Sequence, residues 1–352
     1  MIKSIFSISA IQRFSISAFQ RFSNSAFQRF SVSTIQRFGI SVIFISLLIS
    51  PLFADKYAGE FLNLGIGVKA KSMGDAFVAL ADNSTSVFWN PAGGHNINAI
   101  SFDIMHCEEY GGALNYDSFS LIYPLENKTH FGFLLSRIGV SGIPFTELTN
   151  PSDTISSSNP PVLESKNTYA DYTGYLSFSS KFLSSISIGV STKFIYKNIE
   201  NISASGFGCD LGFLYHPKSN LSFGLNIRDL FGTKIWWADS DTETINPNLL
   251  LGLAYNFSFP IITKPAIISF QSDIYFEDRE TASQIKLGKT SSDVHTGLQI
   301  ELFPFLSLFG GLERNNKTTG LQISHLNYNL NYSFEYNPDF SSSHRISFGM
   351  KL

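Results

Sequence analysis

Charge is scarce in this 352-residue chain. Asp, Glu, Lys and Arg make up 15% of it, against about 25% in an ordinary soluble domain. Long apolar runs are scarce too. A helical membrane protein of several spans needs repeated runs of about 20 apolar residues, and the one comparable stretch lies at Gly39 to Phe53. Cysteine is nearly absent: Cys107 and Cys209 are too few for a disulfide scaffold and lack the spacing of metal ligands. There is no basic excess. A net charge of −3 and a pI near 6.2 leave no electrostatic footprint for nucleic acid. What is present is aromatic surface, with 34 Phe and an aromatic share of 14%. A chain so rich in rings can bury a core, which excludes disorder. Mean hydropathy is still only +0.07, because Ser, Thr, Asn and Gly take the place of charge.

Residues 1–38 repeat with period eight: SISAIQRF, SISAFQRF, SNSAFQRF and SVSTIQRF, ending at Phe14, Phe22, Phe30 and Phe38. A fibrous or adhesive strand tract is one reading of such octads. The stronger one is a leader upstream of the true translation start, because an export signal follows at once. Arg37 supplies the positive flank, residues 39–54 hold the apolar region, and Ala54 offers a small residue for cleavage. The mature chain is then expected to begin near Asp55.

From about residue 98 to the end, apolar and polar residues alternate with period two, the spacing that sends successive side chains to opposite sheet faces. In Leu221 to Arg228 one face carries Leu221, Phe223, Leu225 and Ile227, and the other Ser222, Gly224, Asn226 and Arg228. The stretches 293–302 and 327–336 are as regular. The pattern predicts about fourteen strands, from 98–107 to 343–352, joined alternately by short turns and longer links. The longest links are 141–166, expected to fold over the mouth, and 232–246. Short turns at one end, long loops at the other, an even strand number and apolar-out alternation describe an outer-membrane β-barrel. A soluble β-sandwich or propeller also alternates, but its wet face would carry charge. Here that face reads as Ser, Thr, Asn and Gly, with charge expected in links such as 278–291. Aromatics near strand ends, Tyr110, Tyr123, Tyr172, Tyr196, Tyr215 and Tyr336, suit either interfacial girdles or cross-strand packing. The predicted fold is thus all-β, a transmembrane antiparallel barrel over 98–352 preceded by a hatch over 55–97.

The hatch segment FLNLGIGVKAKSMGDAFVALADNSTSVFWNPAGG, residues 61–94, differs in texture from the strands. Ala70, Met73, Ala76, Phe77 and Leu80 recur at helical steps, which predicts a helix over Lys69–Ala81; Asn90-Pro91-Ala92-Gly93-Gly94 breaks it. This stretch resembles the opening of PorV/PorQ-type outer-membrane proteins and, more distantly, of FadL-type fatty-acid transporter barrels, whose hatch carries the Asn-Pro-Ala motif matched by Asn90, Pro91 and Ala92. The C-terminal NPDFSSSHRISFGMKL resembles the closing strand of the same proteins through His344, Arg345, Ile346 and Ser347, with Phe348, Met350 and Leu352 continuing the alternation. A terminal Leu, where such barrels usually end in an aromatic, weakens the inferred signal to the barrel-assembly machinery.

The resemblance implies a fourteen-stranded barrel and first of all an accessory of protein secretion, type IX-like, that captures secreted client proteins. The alternatives are passive passage of hydrophobic ligands and a structural barrel without transport. Transport predicts an apolar pocket near Phe77, Val78, Phe88 and Trp89, with Asn90, Pro91 and Ala92 as a switch or a helix-ending turn. Secretion predicts an aromatic loop surface at Trp236 and Trp237. No catalytic or metal pattern is present: the histidines are scattered, and no Gly-x-Ser-x-Gly or phosphate-binding loop occurs. His295 with Asp293 and Glu301 is the nearest approach to an esterase set. The chain is therefore expected to be no enzyme, to need no cofactor, and to have outer-membrane lipid as its main partner.

Overall fold

A computed structural model describes residues 58–125, 129–199, 202–259 and 263–352. The octad repeat, the export segment and the expected cleavage point lie outside them. Seventeen strands are present: β1 Ser101–Glu109, β2 Leu114–Pro124, β3 Thr129–Leu148, β4 Pro161–Leu183, β5 Ile186–Ile199, β6 Ile202–Lys218, β7 Leu221–Arg228, β8 Thr233–Trp237, β9 Thr242–Ile245, β10 Asn248–Phe259, β11 Lys264–Tyr275, β12 Ile285–Leu287, β13 Thr290–Phe303, β14 Leu306–Glu313, β15 Asn316–His325, β16 Tyr328–Tyr336 and β17 Ser343–Lys351. All but β8, β9 and β12 form a closed antiparallel barrel of fourteen strands. Each pairs with its neighbours in the ring, and β17 closes on β1 from Ser101↔Lys351 to Glu108↔His344. No helix among the described residues is long and apolar enough to cross a membrane.

The two faces are inverted relative to a soluble protein. In β7, Asn226 and Arg228 are buried while Phe223 is exposed. In β16, Asn331, Ser333 and Glu335 are buried while Tyr328, Leu330 and Tyr332 are exposed. Apolar side chains such as Ile104, Phe178, Phe194 and Phe348, each between 42% and 54% exposed, form the outer surface, an arrangement stable only where that surface meets hydrocarbon. Tyr123, Tyr172, Tyr196, Tyr215 and Tyr336 point outward with them. Tyr172 and Tyr196 also pack as a cross-strand pair, ring centroids 6.3 Å apart.

Three expectations change. Link 141–166 is mostly regular strand: β3 and β4 stay paired out to Leu148↔Pro161 through two register shifts, so the segment is a projecting ribbon whose backbone is satisfied by its own ladder. Within 232–246, β8 and β9 form a hairpin, and β8 pairs with β6 from Ala204↔Trp237 to Phe207↔Lys234, extending the wall above β7. The lumen face, finally, is strongly charged rather than merely polar. Lys193, Arg228, Arg345, Asp171, Asp210, Asp273, Asp293, Glu313 and Glu335 are all buried inside the barrel.

Inside runs the hatch: a 3₁₀ turn at Glu60–Leu64, α1 at Val68–Ser72, α2 at Ser86–Trp89 and a second 3₁₀ turn at Pro91–Asn96. The helix predicted over Lys69–Ala81 stops at Ser72. Gly74 (φ 60°) and Asp75 (φ 63°) are both left-handed, a conformation that ends an α-helix and favours Gly. A Cβ on Gly74 would lie 2.6 Å from the Leu312 backbone nitrogen. The small residues of this stretch therefore serve close packing against the wall, where the sequence suggested a helix face.

Candidate functional site

The site is the contact between hatch and barrel, together with the cavity above it. Apolar packing comes first. Ile66, Val68, Met73, Phe77, Val78, Val87, Phe88 and Trp89 form one core with Met105, Tyr116, Ile122, Leu134, Tyr175 and Leu250 of the wall. The rings of Phe88 and Trp89 meet edge to face with centroids 5.2 Å apart, and Phe88 does the same with Tyr175 at 5.9 Å. Phe77 and Val78 are fully enclosed. Phe88 and Trp89 border small cavities of about 30 and 40 Å³, room for single waters. Above both rings lies the Arg228 guanidinium, 4.3 Å from the Phe88 centroid and 5.4 Å from that of Trp89, a cation–π arrangement.

The hatch has little regular structure, so its backbone groups must find partners elsewhere. The wall supplies them. Gln271 on β11 accepts the N–H groups of Phe77 (3.0 Å) and Val78 (2.8 Å) at one oxygen. Asn226 on β7 donates to the Trp89 carbonyl at 3.0 Å. Arg345 on β17 donates to the carbonyls of Gly65 (3.1 Å) and Leu64 (3.0 Å) and pairs with Glu109 on β1. Asn90 ties three segments together: its amide donates to Val78 O (2.9 Å) and to Phe213 O on β6 (3.0 Å), while its Oδ1 accepts the Ala92 N–H at 3.1 Å. Pro91 follows as the first residue of the second 3₁₀ turn, where a missing N–H costs nothing. The Asn-Pro-Ala segment thus fastens the hatch to itself and to the wall.

Close approach is possible because the wall presents glycines. Gly189, Gly212, Gly224, Gly252, Gly297 and Gly311, on β5, β6, β7, β10, β13 and β14, face the hatch. A Cβ on Gly297 would lie 2.5 Å from the Met73 carbonyl oxygen. Glycine inside a strand marks such backbone contact.

Ion pairs complete the seam. Lys71 of α1 meets Asp75 at 3.1 Å, Glu313 at 2.5 Å and Glu335 at 3.4 Å. Burial alone would lower its pKa, but the carboxylates of Asp75, Glu313 and Glu335 outweigh it and hold the ammonium well above the ordinary lysine range. Lys193 bridges Asp210 (2.9 Å) and Asp229 (2.8 Å) where β6 changes partner from β7 to β8. Arg279 joins Glu60 of the hatch to Asp293. His295 is likewise structural: its Nδ1 lies 3.0 Å from Gly74 O and its Nε2 3.5 Å from Asp273, while Asp293 is engaged by Arg279. Among the described residues no group of His, Cys, Asp and Glu is arranged to hold a metal ion.

On the side of the longer links the hatch leaves a cavity of about 460 Å³. It lies between the Glu60–Leu64 turn and wall residues including Tyr110, Tyr169, Asp171, Glu335 and Phe340. On the short-turn side a cavity of about 100 Å³ is bounded by Lys69, Asp82, Asp103 and Lys351. Trp236 and Trp237 sit apart from both. Trp236 is half exposed on the outer face, whereas Trp237 packs on Ile195, Ala204, Ile235 and Ile245. His344, Arg345, Ile346, Phe348 and Met350 lie on β17, and the Leu352 N–H donates to Ile100 O. Of these, Arg345 hydrogen-bonds the hatch, and Met350 borders the short-turn cavity beside Lys69.

A closed barrel of fourteen strands with a fastened N-terminal hatch matches solved structures. The Pseudomonas putida toluene transporter TodX aligns with a TM-score of 0.55 at 11% identity, over 82% of this chain and 99% of that one. The chain shares this transporter's fold. The Ralstonia pickettii toluene transporter TbuX gives 0.55 at 10% identity, and the CymD monoaromatic hydrocarbon channel 0.54 at 11%, each over 82% of this chain and 98% of the other. No protein-family model and no curated protein sequence matches the chain. These neighbours are transporters and a channel, and the likeness to them is one of fold.

Proposed function

We propose that this protein is an outer-membrane channel for passive passage of small hydrophobic molecules. The observation that carries the reading is a plugged lumen with a cavity of ligand size on the long-link side: about 460 Å³ above the hatch, against about 100 Å³ below it. Such a barrel would admit a ligand to a pocket of small-molecule size, roughly 300–1,000 Å³, and pass it only when the hatch yields. The structural neighbours named as toluene transporters and a monoaromatic hydrocarbon channel support this alternative more than the secretion accessory that the sequence suggested first. In this reading the long links face the cell exterior and the short turns the periplasm, as in other outer-membrane barrels. Phe88 and Trp89, covered by Arg228, border only the small cavities of about 30 and 40 Å³, so in this reading a ligand meets them only when the hatch shifts. The test is uptake of radiolabelled toluene by cells expressing the protein in an outer membrane that otherwise excludes it. Faster initial uptake than in matched cells lacking the barrel is expected; equal rates would refute the proposal.

A further inference from the structure

We infer that Arg228 is the residue that makes the hatch releasable: docked, it is a buried cation with unpaired donors, and a shift of Phe88 and Trp89 lets it pair with Asp273. This rests on the passage proposed above and names what sets how readily the hatch yields.

Arg228 is the last residue of β7 and is 7% exposed. Its Nε and Nη2 are buried without a hydrogen-bond partner, closed off from water by the same packing. Other buried cations of the seam have their carboxylates: Lys71 has Asp75 and Glu313, Lys193 has Asp210 and Asp229, and Arg279 has Asp293. Arg228 has two aromatic faces instead, Phe88 at 4.3 Å and Trp89 at 5.4 Å. A ring face attracts a guanidinium, but it leaves the in-plane N–H groups without acceptors, and a buried charged donor left unpaired is costly. The docked hatch therefore carries a penalty that a shifted hatch can shed.

Asp229, next in sequence, does not relieve it. Its Oδ1 is bound by Lys193 and Thr233, and its Oδ2 accepts from Asn248 at 3.4 Å. The acceptor lies across the cavity of about 40 Å³ that Phe88, Trp89 and Arg228 border together with Asp273. Among the other carboxylates on that cavity, Asp75 and Glu313 face Lys71 and Asp293 faces Arg279. Asp273 has the Gln271 amide as a donor at 2.8 Å and His295 Nε2 at 3.5 Å, a nitrogen that makes no hydrogen bond. Only β10 separates the two strands, with Leu250 paired to Asn226 on one side and to Asp273 on the other. Two strand spacings and a two-residue offset set the Cα atoms of Arg228 and Asp273 about 12 Å apart. An extended arginine and an aspartate meet over that span once the rings release the guanidinium.

The test is hydrogen exchange by mass spectrometry on the purified full-length barrel in detergent, read on peptides covering residues 85–95. Arg228→Met keeps an apolar side chain on the two rings and removes the charge, so exchange there should slow by about tenfold, as one orphaned donor allows. A guanidinium that merely clamped the rings would give the opposite sign, faster exchange on its loss. Asp273→Asn, made with and without Arg228→Met, should slow exchange where Arg228 is present and not where Met replaces it; the cycle cancels whatever else the Asn alters. Should Arg228→Met fail to fold, Arg228→Gln removes the same charge and takes its place in both comparisons. Faster or unchanged exchange on loss of the charge, or an equal effect of Asp273→Asn in both backgrounds, would overturn the inference. Toluene uptake separates the two readings. Slowed exchange in the variants beside a wild type that takes up no toluene removes transport and leaves the release device; unchanged exchange beside normal uptake removes the device alone.

Discussion

Replacing Asn90 with Ala should loosen the hatch while leaving the barrel standing. The side chain makes three hydrogen bonds in a fully buried position, to Val78 O, Phe213 O and the Ala92 N–H. Each contributes about 1 kcal/mol net, and an orphaned buried partner costs about 1–3 kcal/mol. The two carbonyls and the amide left behind therefore lower hatch docking by roughly 3 kcal/mol, a shift of about a hundredfold in the ratio of loosened to docked hatch. Hydrogen exchange read by mass spectrometry resolves this directly, because local opening is reported segment by segment. Peptides covering residues 75–95 should exchange about a hundredfold faster, with those of β1, β2 and β17 unchanged. Asn90→Asp is the matched control. It has the same shape and keeps the acceptor for Ala92, but it sets a carboxylate against two carbonyl oxygens and should loosen the hatch at least as much. Unchanged exchange over residues 75–95 in both variants would show that Asn90 does not fasten the hatch.

Three further outcomes follow from the same seam. Gly224→Val would drive a side chain into the Val78 carbonyl, so single-channel conductance in planar bilayers should rise from closed to leaky; a silent, folded variant would contradict the close-packing account. Lys71→Met removes the one ammonium facing Asp75, Glu313 and Glu335, which should cost about 3–5 kcal/mol of stability by denaturant titration. Adding Glu313→Gln should recover part of it, whereas additive losses would mean the groups are uncoupled. The outward apolar surface predicts a folded barrel that resists SDS and shifts on heating in a gel; recovery of the protein from the soluble periplasmic fraction would exclude a membrane barrel.

The barrel was legible because its signal is local. Period-two alternation in Leu221 to Arg228 identifies a strand and its two faces without knowledge of any partner, and all fourteen ring strands fall where such alternation occurs. What the alternation left open was the use made of the lumen face. Lys193 lies in register with Ser191 and Ile195 on one face of β5, and its parity places it inside; its two carboxylate partners lie on β6 and on the link after β7, set by strand register rather than spacing. Arg228 over Phe88 and Arg345 on the Leu64 and Gly65 carbonyls have the same origin. A charged residue at lumen parity is the available signal, one that a lining read as Ser, Thr, Asn and Gly with charge in the links passes over. In the hatch, the three- and four-residue recurrence of Ala70, Met73, Phe77 and Leu80 imitated a helix. Two left-handed residues at Gly74 and Asp75 broke it so that the chain could lie flat on Leu312. The Asn-Pro-Ala segment ends α2 rather than the helix expected over Lys69–Ala81, and its threefold anchoring depends on Phe213, 123 residues away.

The central claim is that a ligand passes only when the hatch moves, and a reversible tether tests it most directly. A Cβ on Gly94 of the hatch would lie 3.8 Å from the Ser179 Cβ on β4, the mean separation of a disulfide, about 3.8 Å. In cells expressing Gly94→Cys/Ser179→Cys, oxidation should abolish the barrel-dependent part of toluene uptake and a reductant should restore it. Uptake unaffected by a tether verified as formed would show that the hatch does not need to move there, and would contradict the account.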